Sequence, residues 1–176
     1  MKPRLIAPIL ATVTIAISVS LPAHARPVQY SCSVKSGVPI TIARTPQGVV
    51  SVITWKSAHF NSSGFSPQKR CQAVSARFQK HSNQGSLRYI TAGRMQNQNV
   101  LCVAQNRGGA CRSDGLLLTL EPQDNPQSVL RDLFNVASRA SNSPTSRGSA
   151  SKVYINMDNY LQTAPNVAPT AEELSQ

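Results

Sequence analysis

The chain has 176 residues, 18 Lys and Arg against 7 Asp and Glu for a formal charge of +11, four cysteines and three histidines. That length suits a single globular domain and leaves no room for a second full one. The few histidines and wide cysteine spacing argue against a metal centre, and the small acidic complement argues against paired catalytic carboxylates, so no metal and no cofactor are expected.

Met1, Lys2, Pro3 and Arg4 open the chain with positive charge, and Leu5 to Leu21 follows without a charged residue. Ala23 and Ala25 then supply small residues at the two positions a signal peptidase reads, so residues 1–25 are expected to be a signal peptide cleaved between Ala25 and Arg26. The apolar stretch is shorter than the roughly 20 residues of a spanning helix, and Pro8, Thr12, Thr14, Ser18 and Ser20 dilute it. Export to a periplasm, a thylakoid lumen or the cell exterior means oxidising conditions. There Cys32, Cys71, Cys102 and Cys111 are expected to form disulfides. Asn106, Arg107, Gly108 and Gly109 can turn the chain back between Cys102 and Cys111, which pairs those two and leaves Cys32 with Cys71.

Val28, Tyr30, Cys32 and Val34 alternate with polar residues, the pattern of a half-buried strand over 28–35. Val38–Arg44 and Gly48–Trp55 repeat it, with Thr45–Gly48 as the turn of a hairpin. Ser66 and Pro67 supply an N-cap and a first helical residue, and the helix runs through His81 with Cys71, Val74 and Phe78 on one stripe. Leu87–Thr91 and Asn99–Ala104 read as strands linked by a loop with Gly93 and Asn97, and Leu116–Leu120 as another strand. Asn125 and Pro126 open a second helix expected through Ala140. Beyond Ala140 the chain turns rich in Ser, Asn, Pro, Thr and Gly, so 141–176 is expected to be a mostly disordered, flexible tail, above all from Leu161 to Gln176. A short edge strand at Val153–Met157 would interrupt it. The order of elements gives an α+β class. A mainly antiparallel, disulfide-stapled sheet carries two helices in a basic domain over 26–140.

Three stretches carry a resemblance. Tyr30, Ser31 and Cys32 are followed by Gly37, Pro39, Thr41, Arg44 and Thr45. Trp55, Ser57 and Phe60 lead to Gly64, Ser66, Pro67, Arg70, Cys71, Val74, Ser75, Arg77 and Phe78. Ile90, Thr91, Gly93 and Cys102 precede Cys111, Leu118, Thr119, Leu120, Asn125, Pro126 and Leu130. Together they resemble the cyanobacterial circadian-oscillating-protein domain family over most of residues 28–157. The resemblance implies an exported or membrane-peripheral cyanobacterial protein. It brings no catalytic residues with it, and reads Gly37, Gly64 and Gly93 as turn positions.

The excess of Lys and Arg sits in residues 26–140, so the domain is expected to attract anions. Outside the cytosol these are an anionic lipid surface, acidic polysaccharide or acidic protein, with nucleic acid excluded by compartment. Lys56, Lys69, Arg70, Arg77 and Lys80, interleaved with Trp55, Phe60 and Phe65, are the candidate contact residues. The competing reading buries Trp55 and Phe65 over the Cys71 bridge. The leading expectation is a monomeric, non-catalytic binding or structural module. The alternative is a small secreted hydrolase or enzyme inhibitor using the His59 loop, where Ser57, Ser62 and Ser63 could supply a hydroxyl, although no Gly-x-Ser-x-Gly elbow supports it.

Overall fold

A computed structural model of the chain describes residues 27–134 and 152–167. The signal segment, its Ala25–Arg26 cleavage point and residues 135–140, over which the second helix was expected to continue to Ala140, lie outside the described residues.

The fold is α+β, with two antiparallel sheets where the sequence suggested one. The first sheet is a meander of β1 (Gln29–Lys35), β2 (Val38–Thr45) and β3 (Gly48–Thr54). Its tight turns follow from local chemistry. Ser36 and Gly37 both take positive φ between β1 and β2, as a two-residue hairpin requires. Between β2 and β3, Thr45 Oγ1 donates to the Gly48 carbonyl and accepts from the Gln47 amide. The second sheet runs β6-β5-β4-β7, built from β4 (Tyr89–Met95), β5 (Gln98–Ala104), β6 (Cys111–Thr119) and β7 (Tyr154–Asn156).

Helix α1 (Pro67–Asn83) is capped by Ser66, whose hydroxyl accepts from the Lys69 amide, and it buries Cys71, Val74, Ser75, Phe78 and His81. This face lies on β1 and β2 and reaches β6, so α1 joins the two sheets over one core. Inside, Thr41 Oγ1 is satisfied by donation from Trp55 Nε1 and Ser75 Oγ, both at 3.0 Å. Helix α2 (Pro126–Leu133) starts at the Asn125 cap and rests on β4 and β5. The disulfides are Cys32–Cys71, tying β1 to α1, and Cys102–Cys111, tying β5 to β6.

Two expectations are corrected. Gly93 does not turn the chain: it lies within β4, where an added Cβ would sit 2.6 Å from Cys111 Sγ, so the missing side chain makes room for the bridge. The turn falls instead at Gln96 and Asn97, both with positive φ. The tail from Leu161 onward is not wholly irregular either. A third helix, α3 (Met157–Thr163), follows β7 directly, and Tyr160 donates its hydroxyl to the Ser51 carbonyl at 3.1 Å. Beyond it the Val167 amide donates to the Val49 carbonyl at 2.7 Å, and Asn166 bridges Val50. The chain therefore pairs with β4 of one sheet and then with β3 of the other.

Candidate functional site

Strand β3 ends where Trp55 turns inward, its amide donating to the Pro39 carbonyl at 2.9 Å and its indole buried with Cys71 in the core. The next residues fold into a short loop around a 3-10 turn, Asn61–Ser63, which Gly64 closes in the left-handed conformation. The Phe65 amide donates back to the Phe60 carbonyl at 3.0 Å, so the two phenyls stand at the two ends of one small loop. Phe60 is half-buried. Phe65 is 57% exposed, one of only two large apolar side chains exposed among the described residues. The burial reading holds for Trp55 and fails for Phe65.

Below this loop, the first three turns of α1 form one wall of a cleft of about 390 Å³, with Phe60, Phe65, Arg70, Val74, Arg77 and Leu118 among its lining. The Arg70 guanidinium stacks 4.6 Å from the Phe60 ring centroid and 4.9 Å from that of Trp55. Burial lowers the pKa of Arg70, and the neighbouring Glu121 and Asp124 carboxylates oppose that shift. Arg77 donates from Nη1 to the Leu117 carbonyl at 2.8 Å, which holds α1 to β6. Of the five cations singled out in the sequence, the cleft unites Arg70 and Arg77. Lys69 rims the loop, its ammonium 3.2 Å from the Gly64 carbonyl. Lys56 stands exposed just before the loop, and Lys80 is exposed in the last turn of α1, where its charge suits the helix C-terminus.

At the His59 loop a carboxylate stands between a hydroxyl and an imidazole. Ser57 donates to Glu121 Oε1 at 2.5 Å, His59 Nδ1 lies 3.6 Å from Glu121 Oε2, and Gln123 donates to the same oxygen at 2.7 Å. A hydroxyl nucleophile needs the imidazole between it and the carboxylate, so this order does not make a triad. The His59 ring packs edge-on against Phe60, 4.8 Å between centroids, and so helps fix the loop. Glu121 lies between β6 and α2, five residues before the helix begins, and takes no part in its cap. Its side chain faces Ser57 instead, while Asp124 accepts from the Glu121 amide at 2.9 Å. A contact across 64 residues leaves no local signal. Among the described residues no group of His, Cys, Asp and Glu could hold a metal ion, and no helix is long and apolar enough to cross a membrane.

A small disulfide-stapled α+β domain with an aromatic loop beside a basic helix is thus the class the fold and site define. The chain belongs to the Circadian oscillating protein COP23 family, whose sequence model matches residues 29–162. No curated protein and no solved structure matches it.

Proposed function

We propose that the chain is an exported, non-catalytic module that attaches peripherally to an anionic lipid surface through the Phe60–Phe65 loop. The observation that carries this reading is Phe65, 57% exposed at the end of a loop rimmed by Lys69. Burying a phenyl group in an acyl boundary is worth about 2 kcal/mol, and each cation held near anionic headgroups adds about 1 kcal/mol. Such attachment is reversible and weakens as salt screens the charges. Two disulfides fit an oxidising compartment, which supports export in company with the N-terminal segment.

The test is co-sedimentation of the processed, oxidised protein with phosphatidylglycerol-containing vesicles and with pure phosphatidylcholine vesicles. Binding is expected to the anionic vesicles alone, to fall steeply between about 0.05 and 0.5 M salt, and to drop roughly tenfold in Phe65→Ser. Equal binding to both lipids, or an unchanged Phe65→Ser, overturns the lipid reading.

A further inference from the structure

A second cleft, of about 380 Å³, lies across the molecule's other sheet, between β4, β7 and α3. Three of its walls are phenol rings, Tyr89 from β4, Tyr154 from β7 and Tyr160 from α3. Two of the rings are pinned by their hydroxyls. Tyr154 donates to the Gly109 carbonyl at 2.7 Å, and Tyr160 to the Ser51 carbonyl at 3.1 Å. The Tyr154 bond also fixes the loop between Cys102 and Cys111, which brings Arg107 to the rim of the cleft.

Thr163 Oγ1 donates to the Asn159 carbonyl and Asn156 Oδ1 accepts from the Asn159 amide, but three other polar groups of this cleft are unspent. Among the described residues, the Tyr89 hydroxyl, the Arg107 guanidinium and the Asn159 side-chain amide have no hydrogen-bond partner, and all three residues line it. A second cation, Arg88, stands 5.6 Å from the centroid of the Tyr89 ring. Among the described residues, no acidic one lines the cleft. Rigid aromatic walls, a fringe of unpaired donors and exclusively positive charge make a specific demand on a ligand. It must offer an apolar C–H face to the rings, several hydroxyls to the amide and phenol, and a carboxylate to the guanidinium. A uronic acid meets all three; a lipid chain meets only the first.

We infer that this tyrosine cleft binds acidic saccharide, with Arg107 taking the sugar carboxylate, Asn159 and the Tyr89 hydroxyl taking ring hydroxyls, and the pinned rings of Tyr154 and Tyr160 forming the walls. The inference does not rest on the lipid reading, because the cleft shares no lining residue with the Phe65 loop.

The test is calorimetric titration of the oxidised protein, expressed as the full precursor in a host with an oxidising periplasm, with tetragalacturonate and with uncharged cellotetraose. Tetragalacturonate is expected to bind at least about tenfold more tightly than cellotetraose, and Arg107→Ala or Arg107→Gln to weaken it roughly tenfold, the worth of one charge-assisted bond. Lys35→Ala, a cation lost from the β1–β2 hairpin, is expected to change the affinity less than about twofold, which separates a site from bulk attraction. Phe65→Ser should leave sugar binding intact whatever its effect on vesicles. Absence of tetragalacturonate binding, equal affinity for the two sugars, a loss under about threefold in both Arg107 variants, or an equal loss in Lys35→Ala overturns the inference.

Discussion

Cys32–Cys71 joins an edge strand to a helix across 39 residues, whereas Cys102–Cys111 bridges two strands already hydrogen-bonded to each other, only 9 residues apart. The first bridge spans β2, β3 and the aromatic loop, so in the unfolded chain it constrains the larger part of the first sheet. The second constrains little beyond a turn. Its consequence is local: it shapes the loop carrying Arg107 and forces Gly93 of the adjacent β4 to be bare. Two bonds of the same chemistry thus act at different scales, one on the stability of the domain and one on the outline of a cleft.

The largest expected effect that tests this contrast is on stability. Replacing both Cys32 and Cys71 by Ala should cost about 4 kcal/mol by chain entropy, against about 2.5 kcal/mol for Cys102 and Cys111, as read from urea unfolding of the two double variants. Equal losses would break the comparison. Next in size is Gly93→Ala, expected to cost about 2 kcal/mol through overpacking against Cys111 Sγ. Most of that cost should vanish when Cys102 and Cys111 are already Ala. A cost unchanged between the two backgrounds would mean that the close approach to sulfur is not its cause.

The smallest expected effect concerns the end of α1, where it meets β6. His81 is 1% exposed near the end of α1, its Nδ1 2.9 Å from Ser86 Oγ, and burial holds its imidazole below the usual value of 6.5, with Lys80 and Arg112 acting the same way and Asp114 opposing. The folded protein therefore refuses a proton that the unfolded chain accepts. Stability should be unaffected by His81 above the unfolded value and fall as the pH drops below it, until the folded value is reached. Thermal unfolding of His81→Gln should show a shallower decline from pH 7 to pH 5 than the natural chain; parallel curves would remove His81 as the cause.

Much of the fold was legible because its signals are local. Ser66 and Pro67 begin α1, Asn125 and Pro126 begin α2, and the alternation around Cys32 and the stripe holding Cys71 point both sulfurs inward. The misreadings occur where long-range contacts decide. A positive-φ turn at Gln96 and Asn97 needs no glycine when the strands on either side already pair, so Gly93 drew the turn to the wrong place. Helix α3 is too short to stand alone and rests on a Tyr160 bond spanning 109 residues, which no window of sequence contains. The basic character of the candidate site was readable, but the outward stand of Phe65 was not. It depends on a 3-10 turn closing at Gly64, and an aromatic residue before a helix is equally compatible with burial.

The short pairing of Val49 and Val50 with the chain after α3 has a practical corollary for any truncated form of the protein. Ending the polypeptide before Lys152 would strip the outer neighbour from β4 and lay open the flank of β3 together. Two newly bared ladders of amide and carbonyl groups invite intermolecular strand pairing. Shortened versions should therefore self-associate as they are concentrated, and they also lose Ile155 and Met157 from the core.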